Sequence, residues 1–177
     1  KELNFLFVGR ISIMKGIIEL LEAMVLFKHK NGANFKMHLV GDGDKPFIDR
    51  CTEFINKNDI LDNIIFHGRK SFNEDLFRLY KNADVFILPS HTEGFPRVVW
   101  EAALFTCPII VTSVGGVPFV LKNNWDAIFI PPLNSEAISI ALQKIIENYN
   151  EYKIMTTNAY NLALQNTLEN GIKLFVN

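Results

Sequence analysis

The sequence predicts an α/β fold, Rossmann-like and doubly wound: a six-stranded, mainly parallel sheet with helices on both faces. Two observations predict it. Six short runs rich in β-branched and aromatic residues recur along the 177 residues, each apolar almost without alternation, as a strand buried on both faces must be. Between them lie segments whose apolar residues recur at helical spacing, and parallel neighbours in a sheet need such crossovers.

The first run, NFLFVG (4–9), closes on glycine, and Ile17, Ile18, Leu20, Leu21, Met24 and Val25 then share one helical face. FKMHLVG (35–41) is the second strand; Phe47, Ile48, Cys51, Phe54 and Ile55 mark the second helix. NIIFHG (63–68) repeats the strand form. Asn73 is placed to cap a helix carrying Leu76, Phe77 and Tyr80, with Glu74 and Asp75 in its first turn, where acids suit the helix dipole. ADVFILPS (83–90) is the fourth strand, followed by a helix with Pro96 in its first turn and Val98, Val99, Ala102 and Ala103 packed behind. CPIIVTS (107–113) and DAIFIPP (126–132) complete the sheet, and Ile138, Ala141, Leu142, Ile145 and Ile146 form the stripe of a closing helix.

Composition narrows the function. The chain is 49% apolar and 21% charged with a formal net charge of −1, so it carries no broad electrostatic footprint for nucleic acid, which is excluded as a partner. Cys51 and Cys107 make no disulfide framework and read as small core residues, favouring a reducing compartment. No apolar stretch approaches the roughly 18 residues that span a bilayer and no signal-peptide pattern opens the chain, so a cytoplasmic location is expected. The chain opens at Lys1, without methionine and already in a strand-like run, which predicts a piece of a longer protein.

In a doubly wound sheet ligands lie beyond the carboxyl ends of the strands, so the loops after the apolar runs carry the chemistry. VGRISIMKG (8–16) has no G-x-G-x-x-G and no G-x-x-x-x-G-K-[ST], which removes the usual dinucleotide and P-loop signatures. It does set Arg10 and Lys15 between a strand end and a helix start, where a guanidinium and an ammonium suit a diphosphate; two solvated loop cations are the alternative. LVGDGDKP (39–46) holds Asp42 and Asp44 in a D-x-D, readable as metal ligands or, in preference, as a tight turn with Pro46 near the next helix start. FHGRKSF (66–72) places Arg69 and Lys70 after a strand-ending glycine, with a polar loop as the plainer reading. Gly115 and Gly116 in VTSVGGVPFV (111–120) allow backbone to approach a ligand or simply permit a sharp turn.

The most informative loop is HTEGFPRVVWEA (91–102). A helix opening at Pro96 leaves the amides of Arg97, Val98 and Val99 without intrahelical partners, a prepared anion site. Glu93 and Glu101 would repel an anion there unless they face other parts of the same ligand. Carboxylates accept hydrogen bonds and paired sugar hydroxyls donate them. A nucleotide sugar, with a sugar on each side of a diphosphate, meets both demands. His91 reads as a surface-loop histidine, His38 and His67 as strand residues, His29 as a helix-end cation, and Trp100 and Trp125 as packing groups.

GRISIMKG, LVGDG, HGR, EGFPRVVWE and VTSVGGVP stand in this order, with seven residues between Glu93 and Glu101. Together they resemble the C-terminal, donor-binding domain of the retaining glycosyltransferases of family four, enzymes of the GT-B architecture, in register from about residue 4 to 132. The resemblance implies that Arg10 and Lys15 bind the donor diphosphate and stabilise charge growing on the departing nucleotide. It implies that Glu101 accepts from the ribose hydroxyls and that Glu93, nearer the transferred sugar, holds its hydroxyls. Gly94, Phe95 and Arg97, Val98 and Val99 would line sugar and phosphates, and Gly41, Gly43, Arg69 and Lys70 would border the base. No metal and no cofactor beyond the nucleotide diphosphate sugar is implied. The implied partners are that donor, a saccharide or lipid-linked acceptor, and an N-terminal domain absent from this chain, through which the whole protein would touch a membrane peripherally.

Residues 1–177 are thus read as one nucleotide-sugar-binding domain, with little turnover expected of it alone. Family members often carry an acid where this chain has Phe119, and glycines where it has Asn124 and Ala127. The competing readings are a non-catalytic nucleotide-binding or scaffolding module, or another GT-B relative such as a sugar epimerase or a phosphorylase.

Overall fold

The computed structural model describes residues 2–32 and 34–169; the domain read over 1–177 includes residues outside that range. Six strands, β1 (Leu3–Val8), β2 (Phe35–Val40), β3 (Ile64–Gly68), β4 (Val85–Leu88), β5 (Ile109–Thr112) and β6 (Ile128–Ile130), alternate with helices. The helices are α1 (Ile17–Asn31), α2 (Lys45–Lys57), α3 (Glu74–Asn82), α4 (Arg97–Leu104), the one-turn α5 (Val117–Val120), α6 (Ser135–Glu147) and α7 (Tyr149–Glu169). The strand order is β3-β2-β1-β4-β5-β6 and each neighbouring pair runs parallel. The sheet is therefore wholly parallel, where a mainly parallel one was expected.

Burial explains the continuous apolar runs. Phe5, Leu6 and Phe7 alternate across the sheet yet all are buried, as are Val85 to Leu88 and Ile109 to Val111. Both faces must then be covered, and α1 packed with α6 and α4 packed with α7 supply the covering layers. Phe5, Phe27 and Phe35 form an aromatic knot under β1 and β2, with ring centroids 5.4 to 5.6 Å apart. Cys51 and Cys107 are free and buried in this core, and burial pushes the Cys51 thiol up to about 11.

The Asn73 cap acts where it was read, and α6 has a cap that the sequence reading did not name. Asn73 accepts from the Asp75 amide at 3.1 Å, capping α3, and Asn134 caps α6 through the Ala137 amide at 2.8 Å. Pro96 is the residue before α4 rather than in its first turn, with extended backbone. His38 and His67 lie on adjacent strands, their rings stacked and Nδ1 of the first 2.8 Å from Nε2 of the second. Burial holds both imidazoles below their usual pKa. Trp100 packs on Phe95 with ring centroids 4.7 Å apart, whereas Trp125, expected to be a packing group, is 57% exposed. No helix among the described residues is long and apolar enough to cross a membrane.

The junction into α1 depends on one glycine. Gly16 has φ 70°, and a Cβ there would lie 2.0 Å from the Pro89 carbonyl oxygen at the end of β4. Gly32 at the other end of α1 has φ 54° with open space around it. Gly32→Ala is expected to cost about 1 kcal/mol from left-handed strain alone, and Gly16→Ala at least about 2 kcal/mol more, since backbone must also move. Denaturant midpoints at matched slope measure the difference; equal losses would show that the Gly16 contact carries no weight.

Candidate functional site

In a parallel sheet the carboxyl ends of all strands share one edge, and the order reverses between β1 and β4. The sequence-predicted residues fall on the loops at that edge, except Arg97, Val98, Val99 and Glu101, which lie on α4. The loops after β1 and β4 meet backbone to backbone, with the His91 amide donating to the Met14 carbonyl at 2.9 Å beside the Gly16 contact. Here the Lys15 ammonium donates to Glu93 Oε1, and the Ser90 hydroxyl donates to the same oxygen at 2.7 Å. The pair is largely shielded, with 27% of the Lys15 side chain and 9% of the Glu93 side chain exposed. Ser90 is itself held, since Thr112 Oγ1 donates to its carbonyl at 2.6 Å.

The β5 loop locks this arrangement from the other side. A Cβ on Gly115, whose φ is 56°, would fall 1.7 Å from the Glu93 carbonyl oxygen, and the Gly116 amide donates to the Gly94 carbonyl at 2.6 Å. The close approach that these two glycines allow is thus to the protein's own Glu93 loop.

Arg10, Gly41, Gly43, Arg69 and Lys70, all predicted to face a ligand, line one cleft of about 480 Å³ beyond β1, β2 and β3. Asp42 and Asp44 line it too. Asp44 precedes α2, and Arg10 reaches its Oδ1 at 3.1 Å, with both side chains mostly in solvent. The D-x-D is therefore part of a turn, its backbone tied to the β1 loop by the Ile11 amide on the Asp42 carbonyl at 2.7 Å. Among the described residues no three His, Cys, Asp or Glu side chains are grouped to hold a metal ion.

Glu101 departs from expectation in its surroundings. It is half-buried on α4, and its Oε2 accepts from the Tyr80 hydroxyl of α3 at 2.8 Å. Burial raises its pKa, while the Tyr80 hydrogen bond and the Arg97 charge oppose the rise. Tyr80 itself, buried and beside this carboxylate, resists ionisation more than an ordinary phenol. Sequence reading took Tyr80 as one member of a helix stripe. The signal was its hydroxyl, because a fully buried tyrosine requires an acceptor.

Two expectations need correction. Val99 does not offer a free amide, because its N–H donates to the Pro96 carbonyl at 3.1 Å, and its side chain is fully buried. The open donors at the start of α4 reduce to Arg97 and Val98, the α4 amides for which no partner is seen among the described residues. His91 is not a solvent-facing loop residue: 13% of its side chain is exposed, and Nε2 sits 3.1 Å from Glu19 Oε1 of α1 without hydrogen-bond alignment. Gly94 and Phe95 lie between these features, the first exposed and the second packed on Trp100.

The family model described as glycosyl transferases group 1 matches residues 1–162. The chain belongs to this glycosyltransferase family. It is 31% identical over 160 residues to an uncharacterized glycosyltransferase, MJ1607, of Methanocaldococcus jannaschii, covering 89% of this chain and 39% of that protein. It is 30% identical over 160 residues to the N,N'-diacetylbacillosaminyl-diphospho-undecaprenol alpha-1,3-N-acetylgalactosaminyltransferase of Campylobacter jejuni, covering 90% of this chain and 40% of the relative. The chain thus spans about two fifths of the length of these relatives. Its fold matches Anabaena HepE, solved with UDP and glucose, at TM-score 0.85 and 21% identity over 93% of this chain and 44% of that one. It also matches the C-terminal domain of the group 1 protein LpcC from Francisella tularensis, at TM-score 0.83 and 22% identity over 92% of this chain and 85% of that one.

The raised pKa of Glu101 gives this glycosyltransferase domain a testable pH dependence. The folded chain holds the Glu101 proton more tightly than the unfolded chain does, so stability falls as pH rises through the folded pKa. Glu101→Gln keeps an acceptor for Tyr80 and removes that loss. The variant is expected to melt higher than the parent at neutral pH and to converge with it once pH falls below the ordinary carboxylate range. A melting curve for the variant that lies at or below the parent near neutrality would contradict this.

Proposed function

We propose that this chain is the donor-binding half of a retaining glycosyltransferase that moves a sugar from a nucleotide diphosphate sugar to a saccharide or lipid-linked acceptor. The observation that carries the reading is the Lys15 and Glu93 pair at the strand-order reversal, on the same loop as Arg10, which with Arg69 and Lys70 brings cations to a cleft also lined by Asp42 and Asp44. A diphosphate needs fixed cations; the sugars beside it need acceptors. HepE, whose fold this chain shares, was solved with UDP-glucose as well as with UDP and glucose. The Campylobacter relative is named for an acceptor linked to diphospho-undecaprenol, which supports the lipid-linked alternative.

On this reading Lys15 and Arg10 take the diphosphate and stabilise the charge that collects on it as the sugar leaves. An ammonium has three donors, so Lys15 can keep Glu93 and still meet a phosphate oxygen. Glu93, held in place by Lys15 and Ser90, then stands beside the sugar with its carboxylate turned to the hydroxyls. Glu101, with one oxygen occupied by Tyr80, offers the other to the ribose. Gly94, Phe95 and the Arg97 and Val98 amides border sugar and phosphates, and Gly41, Gly43, Arg69 and Lys70 border the base. No metal enters the reading. The acceptor binds outside these residues, which by themselves bind donor and turn over little.

Calorimetry with UDP, GDP and ADP and their sugars tests it. At least one should bind, and Lys15→Ala should weaken that ligand by roughly tenfold to a hundredfold, more at low salt than at high. Glu101→Gln should weaken the nucleotide sugar as well. Both variants binding like the parent would place the site elsewhere.

A further inference from the structure

A second cavity lies away from the cleft just described. The turn from Lys122 to Ala127 feeds β6, so in a parallel sheet it sits at the amino edge, opposite the edge that carries Lys15 and Glu93. Between this turn and α7 is a cavity of about 220 Å³ whose polar lining is Lys122, Asp126, Asn158, Asn161 and Gln165, and whose apolar lining is Trp125 with Val120 and Leu162. Asn158, Asn161 and Gln165 are spaced three and four apart on α7, so they stand on one helical face.

The tryptophan in this cavity is held out in solvent by a turn built to hold it. Asn124 takes φ 59°, a left-handed conformation that asparagine tolerates. Asp126 Oδ2 accepts from the Lys122 amide at 2.9 Å, Asn123 Oδ1 accepts from the Phe129 amide at 2.9 Å, and Asn158 Nδ2 donates to the Trp125 carbonyl at 3.0 Å. The backbone on both sides of Trp125 is therefore fixed, yet the indole contributes little to the core. A flat apolar face on a fixed turn beside a row of carboxamides is the complement of a pyranose, which has a C–H face and a rim of hydroxyls. Carboxamides donate and accept, so they match hydroxyls in either orientation. The one cation, Lys122, faces Asp126 in the same wall, which argues against a phosphate or nucleic acid, and the polar lining argues against a purely apolar guest.

We infer that this cavity is a saccharide subsite, in which Trp125 stacks on one sugar unit while Asn161, Gln165 and the free oxygen of Asn158 bond its hydroxyls. It is separate from the donor cleft and independent of what that cleft does. In a protein that acts on saccharide chains, such a hold would raise the local concentration of a chain already bound.

The chain has two tryptophans, so its indole N–H resonances report the site directly, with Trp125→Phe supplying the assignment. Titration with maltotriose, chitotriose and galactotriose is expected to shift the Trp125 signal saturably for at least one sugar while Trp100 stays still. Trp125→Ala, and the double variant Asn161→Ala with Gln165→Ala, should each weaken that sugar by about tenfold or more, and Trp125→Phe should weaken it less. Nucleotide-sugar binding, followed by thermal shift, should be unchanged in all of them. No saturable shift with any of the three sugars, or a shift of equal affinity in the variants, overturns the proposal and leaves the donor reading untouched.

Discussion

The meeting of the β1 and β4 loops is the contact on which the rest of the site depends. Strand order reverses between these two strands, and their loops touch there because Gly16 lets the start of α1 lie directly on the Pro89 carbonyl. That approach is what carries Lys15, on one loop, into bonding reach of Glu93, on the other. The β5 loop then closes on Glu93 from behind through Gly115. Three loops thus fix one carboxylate, and two of them, through Gly16 and Gly115, need a position without a side chain to do so.

The electrostatics follow from that geometry. A carboxylate as shielded as Glu93 would be costly alone, and Lys15 with Ser90 offsets the desolvation. Among the described residues no cation bonds Glu101; burial raises its pKa, and the Tyr80 phenol and the more distant charge of Arg97 offset only part of that rise. The two acids therefore sit in different states of readiness. One is already engaged with its counter-ion, and the other stands half-buried with one carboxylate oxygen on a phenol.

Much of this was legible in the sequence, and the reasons divide cleanly. The six strands were readable because burial on both faces forces unbroken apolar runs, and α1 to α4 and α6 because each has a packed side. The 21-residue α7 has a buried stripe of small or flexible residues, Met155, Ala159 and Ala163, which gives a weak apolar signal, while the larger Ile154 beside it is exposed. The strand ends put Arg10, Lys15, Glu93 and the loop glycines at one edge, because in a parallel sheet every strand-ending loop arrives there. Pairings between distant segments were not legible. Tyr80 and Glu101 are 21 residues apart and Lys15 and Glu93 are 78 apart, and nothing in local spacing joins them. The Val99 amide was misread because a tightened first turn satisfies a donor that an ideal helix would leave open.

The two cations read together from the sequence turn out to be unlike. Arg10 pairs with Asp44 in solvent, an interaction worth at most about 1 kcal/mol, so a diphosphate could recruit the guanidinium at little cost. Lys15 is held by an acid that cannot be left unpaired so cheaply. On the proposed reading the donor must therefore bind Lys15 with Glu93 still attached. That requirement places the Glu93 carboxylate within one ammonium of the diphosphate, on the side where the diphosphate joins the sugar. The sugar's position would then follow from the ion pair, and the acid's distance from the breaking bond would be set by protein folding before any ligand arrives.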